Sequence, residues 1–435
     1  MDITLEHVDA SKYNSIKIAI WLYFLLWIFE GALRKWILPG LATPLLVVRD
    51  PIALFIIFRA IQMKVKFINS FLIFSSLFTI LSLIVTLTFG HGNLFVGIYG
   101  ARIMLVNFPL IFIIGSVFNK EDVLNIGKFL LAVNILMTII VYLQFNSPET
   151  SFVNVGVGGE GTSGFEAGAM GHYRPSGTYS FISGLTGFYT AVSVFVFYFW
   201  ISKDYCNKFL LFTSTLVLII ALPLTISRGT VVAVLLVGLF ATVASTSNFK
   251  MFFKFIFIVV LLVITFLYLQ EYSSVFRLST EVFMARVDNA NKSTPGGSLQ
   301  DSILMRALDD LTKPIQELFS KSFFEGNLGK GTNVGSQLLV GKSTFLISEN
   351  EFGRLAGEQG IILGGSMIVL RIVFAITLAI KSWSLPNEER LLPFTLCGAA
   401  CIAILQGQWQ YPSVLAFGII MAGLTTVPLS KKENL

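Results

Sequence analysis

Charged residues are scarce in this 435-residue chain. Asp, Glu, Lys and Arg make up 13% of it and hydrophobic residues 54%, whereas soluble domains carry about 25% charged residues. This shortage excludes an ordinary soluble globular protein and predicts an all-α integral membrane protein. The formal net charge of +6 does not predict a nucleic-acid partner, because the basic residues lie mostly in short loops between apolar runs.

Cysteine and histidine are also scarce, with three of each. Cys206 lies in a short basic loop, while Cys397 and Cys401 share one apolar run. None of them lies in a long polar loop, so the pattern predicts neither a disulfide framework nor a cysteine metal site. The histidines are scattered along the chain as well, and we predict no metal and no cofactor.

Long apolar runs are abundant. A membrane-spanning helix needs about 20 mostly apolar residues, and the chain offers about twelve such segments, which predict one polytopic domain over residues 1–435. The segments are 16–38, 44–61, 71–89, 96–118, 124–145, 179–201, 209–226, 230–244, 252–269, 352–380, 391–405 and 413–429.

The distribution of Lys and Arg predicts the orientation. With the N-terminus in the cytoplasm, every inside segment between the twelve runs is basic, whereas the short outside loops 90–95 and 407–412 contain no Lys or Arg. This is the asymmetry expected of cytoplasmic loops. We therefore predict a multi-pass membrane protein with both termini in the cytoplasm.

Two longer segments then lie outside the cytoplasm. The first, 146–178, is rich in glycine, which suits a mobile loop or a close backbone approach to a ligand. The second, 271–350, separates the ninth and tenth predicted helices and predicts a large cap. Within it, residues 281–319 have an amphipathic helical pattern around Leu304 and Leu311.

Two arginines lie on the predicted outer side, where the positive-inside rule disfavours them. Arg174 joins the glycine-rich loop to the next apolar run, and Arg228 lies in the short turn between two runs. A guanidinium at such a place can bind two phosphate oxygens at once. The alternatives are a loop-organising role for Arg174 and an interfacial position for Arg228 that leaves its charge in water.

Further charges interrupt the apolar runs themselves. Arg49 and Asp50 are adjacent and could neutralise each other, and Glu30 can pair with Arg34 four residues later. Arg102 has no acid nearby in the sequence, so it requires a partner from another helix or an anionic ligand. Ionisable residues inside a membrane segment indicate function by default, and Arg49 and Arg102 are therefore predicted to contact substrate.

The junction between the cap and the tenth apolar run is also charged. Glu349 is a candidate catalytic residue, with helix capping as the alternative role. Arg354 is a candidate substrate contact, although Glu351, Arg354 and Glu358 have the spacing of helical ion pairs.

Several short motifs resemble the O-antigen polymerase/ligase superfamily, and they extend over most of the chain. They are Arg-Pro-Ser-Gly-Thr at 174–178, Ser-Arg-Gly at 227–229, the glycine turn at 326–331, and Glu-Asn-x-Phe at 349–352 followed by Glu-x-Gly at 358–360. Ligases of the family have histidine at the position of Glu349, and this difference favours a polymerase over a ligase.

The resemblance implies a metal-independent glycosyltransferase of the bacterial inner membrane. Such an enzyme joins oligosaccharide repeat units, carried on a polyprenyl diphosphate, into a surface polysaccharide. Arg174 and Arg228 would hold the diphosphate, with Arg228 acting in catalysis, and Glu349 would orient or deprotonate the acceptor hydroxyl. The implied partners are the lipid-linked oligosaccharide, the bilayer, and a chain-length regulator and flippase of the same pathway. A ligase, or a secondary transporter or flippase with inverted repeats and broken helices, remains the alternative.

Overall fold

The computed structural model describes residues 13–159, 167–246, 249–292, 312–313, 316, 318–342 and 346–430. The fold is all-α apart from one antiparallel pair of short strands, β1 (Ala167–Ala169) and β2 (His172–Tyr173). The helices of the described residues are α1 (Asn14–Ala32), α2 (Arg49–Gln62), α3 (Ser70–Thr88), α4 (Leu94–Arg102), α5 (Pro109–Val117), α6 (Lys120–Asn146), α7 (Ile182–Ile201), α8 (Lys208–Leu224), α9 (Arg228–Ser245), α10 (Phe249–Tyr272), α11 (Ser274–Lys292), α12 (Asn333–Val340), α13 (Glu351–Trp383), α14 (Asn387–Leu405) and α15 (Pro412–Ser430).

Within the described residues, nine helical stretches are long and apolar enough to cross a membrane. They are Asn14–Ile37, Ser70–Thr88, Leu94–Val117, Lys120–Asn146, Ile182–Ile201, Arg228–Ser245, Phe249–Tyr272, Glu351–Trp383 and Pro412–Leu429. The all-α membrane class is therefore confirmed. The count of twelve spans stays a prediction, because α2 has 14 residues, α8 has 17, and three of the first four residues of α14 are charged. The orientation, which rests on the distribution of Lys and Arg, also stays a prediction.

Local sequence explains where nearly half of the described helices begin. Seven helices begin at an Asn, Ser or Thr whose side chain accepts a hydrogen bond from a backbone N–H of the first turn, the preferred N-cap arrangement. These residues are Asn69, Asn93, Asn119, Asn207, Ser227, Thr332 and Asn350.

The second predicted segment, 44–61, differs from the structure at its start. Pro39–Leu41 and Pro44–Val47 form 3₁₀ turns, and the α-helix begins only at Arg49. Prolines remove backbone donors and favour such turns, whereas Pro51 is tolerated within the first turn of α2. The outcome is a connection between α1 and α2 that contains 3₁₀ turns in place of α-helix.

Burial separates a central helix from peripheral ones. Helix α7 has almost every residue buried and packs on α6, α9, α14 and α15. Helix α10 is the opposite, because only Phe255 and Ile258 are buried along its 24 residues. Burial on all sides, as in α7, is typical of an apolar helix at the centre of a bundle. The exposed apolar surface of α10 is suited to contact with lipid.

One end of the bundle carries the glycine turn at 326–331, and we call it the cap end. Backbone N–H groups of the turn donate to Thr86 Oγ1 at the end of α3 and to Glu358 Oε1 in α13. The amphipathic pattern predicted within 281–319 is helical up to Lys292 in α11, and Leu304 and Leu311 lie outside the described residues.

Helix α13 is broken at Gly360, whose backbone has φ 79° and ψ −171°. The N–H groups of Ile361 and Ile362 donate to the carbonyls of Ser322 and Phe323, and the N–H of Asn327 donates to the carbonyl of Glu358. Irregular backbone at membrane depth is tolerated where protein satisfies its polar groups. Residues 322–327 satisfy the polar backbone groups at this break.

We expect Gly360→Ala to destabilise the protein by about 2 kcal/mol or more, because this backbone region is essentially restricted to glycine. An added Cβ would also lie 2.7 Å from the Ser322 carbonyl oxygen and 2.8 Å from the Glu325 nitrogen. Thermal unfolding in detergent measures the effect. Gly365→Ala on the same helix is the control, since its Cβ would meet only a leucine methyl at 3.3 Å. Equal melting temperatures for the two variants would contradict the prediction.

Candidate functional site

A cavity of about 350 Å³ lies at the cap end. Its walls come from α1, the connection between α1 and α2, α4, the chain just before α7, helix α12 and the turn before α15. The volume is within the range of about 300–1,000 Å³ that small-molecule sites occupy. Its charged lining residues are Glu30 and Arg34, and its aromatic lining includes Trp27, Tyr99, Tyr179 and Tyr411.

Glu30 and Arg34 belong to a buried ion cluster. Arg49 donates to Glu30, with Nη2 2.9 Å from Oε2, and Arg34 Nη1 lies 3.6 Å from Glu30 Oε1. Arg34 also donates from Nε to the carbonyl of Ala42 at 2.8 Å and from Nη1 to Ser180 Oγ at 2.9 Å. The predicted Glu30–Arg34 pair is confirmed. The predicted mutual neutralisation of Arg49 and Asp50 is wrong, because Arg49 pairs with Glu30.

Asp50 instead pairs with Arg102, whose Nη1 lies 2.9 and 2.8 Å from the two carboxylate oxygens. This confirms that Arg102 requires a partner from another helix. The ring of Tyr99 packs 4.0 Å from the guanidinium carbon of Arg102, and Asn107 donates to Asp50 at 3.3 Å. Sequence neighbours diverge here because adjacent positions at the start of α2 face different helices.

Lys35 is a further buried cation that the sequence reasoning missed. Its ammonium donates to the Gly177 carbonyl at 2.6 Å and to Ser176 Oγ at 3.2 Å. Within the described residues no carboxylate lies within 4.0 Å of it. The sequence contained one sign of it, because Lys35 is a second basic residue directly after Arg34 at the end of an apolar run. Arg34 and Arg49 thus share one carboxylate, that of Glu30, whereas Asp50 pairs with Arg102.

The 174–178 motif leads directly into residues 179–181, which form part of the cavity wall. Thr178 Oγ1 donates to the carbonyl of Ile28 at 2.6 Å. At Gly31 an added Cβ would lie 2.3 Å from the Thr178 carbonyl oxygen, so the two backbones touch. This close approach fixes residues 179–181 against α1 and beside Arg34.

Arg174, Arg228 and Glu349 do not line the cavity. Arg174 follows β2, Arg228 is the first residue of α9, and both are half-buried. Glu349 is exposed and accepts a hydrogen bond from Gln408 at its backbone carbonyl. Burial, with a smaller contribution from the Glu349 carboxylate, raises the pKa of Tyr411 to about 12. Glu349 is thus electrostatically coupled to one lining residue.

Arg354 belongs to a second, charge-balanced cluster. Its Nε and Nη2 donate to the two oxygens of Glu351, and its Nη1 donates to Glu358 Oε2 at 2.6 Å. Both predicted helical ion pairs are confirmed. Because every guanidinium nitrogen is engaged and the side chain is buried, the geometry favours a structural role over the predicted substrate contact.

Arg371 completes this cluster and was missed from sequence. It donates to Glu351 and to the Ile404 carbonyl, and its guanidinium carbon lies 4.0 Å from the ring of Trp409. The partners lie 20 and 33 positions away, so no local pattern announced the pairing. The network joins both halves of α13 to the turn before α15.

Two other observations bear on the predicted chemistry. Within the described residues, no group of three or more His, Cys, Asp or Glu side chains is arranged to hold a metal ion. Comparison of the chain with protein-family models, with curated proteins and with solved structures found no match. Membership of the O-antigen polymerase/ligase superfamily therefore stays a prediction from the motifs.

Proposed function

We propose that the protein is a metal-independent glycosyltransferase of a bacterial inner membrane that polymerises polyprenyl-diphosphate-linked oligosaccharides into a surface polysaccharide. The supporting observation is the cationic excess beside the cavity. Arg34 lines it and shares the Glu30 carboxylate with Arg49, and Lys35 is the next residue after Arg34.

A buried cationic excess is unfavourable by itself. Charges withdrawn from water need partners, and Arg34 and Arg49 share the single carboxylate of Glu30, with the shorter contact at Arg49. A diphosphate would supply the missing negative charge. Among the described residues, Nη2 of Arg34 makes no hydrogen bond, so this guanidinium retains donors for a phosphate oxygen.

The proposed reaction needs few groups. The acceptor hydroxyl forms a bond to the anomeric carbon of the lipid-linked sugar, the bond from that carbon to the diphosphate oxygen breaks, and the hydroxyl proton is released. Arg34 stabilises the negative charge on the departing diphosphate. The motifs assign the proton acceptor to Glu349 and two diphosphate contacts to Arg174 and Arg228. These three roles stay predictions from the motifs, because none of the three residues lines the cavity beside Arg34.

The decisive experiment uses the full-length protein reconstituted in lipid vesicles with a polyprenyl-diphosphate-linked oligosaccharide and no ion gradient. We expect products that are longer by whole repeat units, with release of polyprenyl diphosphate, and expect them also in the presence of a metal chelator. Recovery of the unchanged oligosaccharide from vesicles in which the protein is folded would contradict the proposal.

The motif-based roles have their own test. We expect Arg228→Gln and Glu349→Gln each to abolish polymer in a complementation assay, because each change removes one charge from a group assigned to the reaction. Chain length on a gel is the readout, with protein abundance in membranes as the control. Polymer of normal length from both variants would remove these two residues from the site.

A transporter or flippase is the second candidate, and the break of α13 at Gly360 favours it. Broken helices occur at the binding sites of secondary transporters. Here, however, residues 322–327 satisfy the backbone groups at the break. A ligase is the nearest alternative within the same chemistry, and it would transfer finished glycan to an acceptor other than a repeat unit. The identity of the acceptor recovered from cells distinguishes ligase from polymerase.

A further inference from the structure

The cavity has two chemically different sides. Ser180 accepts a hydrogen bond from Arg34 at 2.9 Å, whereas the next residue, Phe181, packs its ring 5.9 Å from that of Tyr411. The wall therefore contacts a basic group through Ser180 and an aromatic ring through Phe181. We call the parts of the cavity beside these two contacts the basic side and the aromatic side.

The aromatic side contains buried polar atoms without partners. Trp27 and Tyr179 are each 1% exposed and line the cavity. Their rings lie 6.1 Å apart. Among the described residues, neither Nε1 of Trp27 nor the hydroxyl of Tyr179 has a hydrogen-bond partner. Unpaired buried polar atoms are rare in native structures, so these two groups, both in residues of the cavity wall, remain available for a hydrogen bond to a ligand.

We infer that this side of the cavity binds a sugar ring, next to the diphosphate that the basic side would hold. The inference rests on the proposed function and deepens it. Aromatic rings pack against the C–H face of a sugar, and indole, phenol and amide groups bond its hydroxyls. The amide side chains of Asn333 and Gln337 on α12 line the same cavity. A hydrocarbon chain would leave Trp27 Nε1 and the Tyr179 hydroxyl unpaired, and for this reason we place a sugar rather than the prenyl chain here.

Tyr179→Phe tests the inference with little structural disturbance, because the hydroxyl it removes makes no hydrogen bond within the described residues. Tyr189→Phe is the matched control. The Tyr189 hydroxyl is equally buried but is hydrogen-bonded to Thr138 Oγ1 at 3.1 Å, and Tyr189 does not line the cavity.

The experiment measures saturation-transfer NMR of free hexoses and N-acetylhexosamines, each added to the full-length protein in lipid nanodiscs, with farnesol as a hydrocarbon probe. We expect at least one sugar to bind the wild type. We expect Tyr179→Phe to bind it about fivefold more weakly at an unchanged or higher melting temperature, because one hydrogen bond to the ligand is lost. Tyr189→Phe should bind it normally at a lower melting temperature.

Three results would overturn the inference: no sugar bound by the wild type, equal affinity in wild type and Tyr179→Phe, or a Tyr179-dependent signal from farnesol alone. Polymer formation is measured separately. Sugar binding that depends on Tyr179 in a protein that makes no polymer keeps this inference and removes the proposed function. Polymer formation by a protein that shows no such sugar binding keeps the proposed function and removes this inference.

Discussion

Replacing Arg34 with glutamine is expected to reduce polymer formation by about 100-fold or more, the effect typical of removing one group that stabilises developing negative charge. Arg34 is the basic residue that lines the cavity. Glu30 keeps its shorter pair with Arg49 in this variant, so the fold should survive. Chain length and amount of polymer in complemented cells are the measurement, normalised to protein in the membrane.

Two further variants make this result specific. Arg34→Lys keeps the charge but loses the planar donor pair that fits phosphate, and we expect an intermediate activity from it. Arg59→Gln is the control, because Arg59 lies near the opposite end of α2 and bonds Ser15 and Gln62. Full activity of a well-expressed Arg34→Gln protein would show that the cavity does not hold the diphosphate.

The largest effect on stability is expected at Glu351. Glu351→Leu leaves the buried guanidinium of Arg371 without its carboxylate and Arg354 with only Glu358, and breaking a buried ion network in this way costs about 3–5 kcal/mol. Thermal unfolding in detergent should show a large decrease in melting temperature. Lys17→Met should change it little, because it breaks a pair whose side chains are 17% and 19% exposed and such pairs contribute at most about 1 kcal/mol.

The balance of charge gives a stricter test of the same cluster. The double variant Glu351→Leu/Arg371→Leu removes one charge of each sign and leaves the Arg354–Glu358 pair, with Nη1 2.6 Å from Oε2. We expect it to be more stable than the single variant Glu351→Leu, since an uncompensated buried charge is the main penalty. A double variant that unfolds at a lower temperature than the single one would disprove this account.

Local patterns predicted the features that depend on neighbouring residues. The scarcity of charge determined the membrane class, and the apolar runs located the helices to within a few residues. Charges three or four positions apart predicted the pairs of Glu30 with Arg34 and of Arg354 with Glu351 and Glu358 correctly. In each case the helix itself brings the partners together, so the periodicity of about 3.6 residues is sufficient information.

The remaining pairings depended on how the helices pack. Arg49 and Asp50 are adjacent in sequence, yet they bind Glu30 on α1 and Arg102 on α4. Arg371 finds its partners 20 or more positions away, and Lys35 reaches a loop about 140 residues further along the chain. No sequence periodicity encodes such distances.

The sequence alone thus determined a polytopic helical membrane protein with arginines and acids in unusual places, because hydrophobicity and helix geometry act over short stretches of chain. Only the tertiary structure decided which of those charges neutralise one another and which leave a cationic excess beside a cavity. The reason is that a buried charge responds to whatever the packed helices place within a few ångströms, wherever in the chain those residues occur.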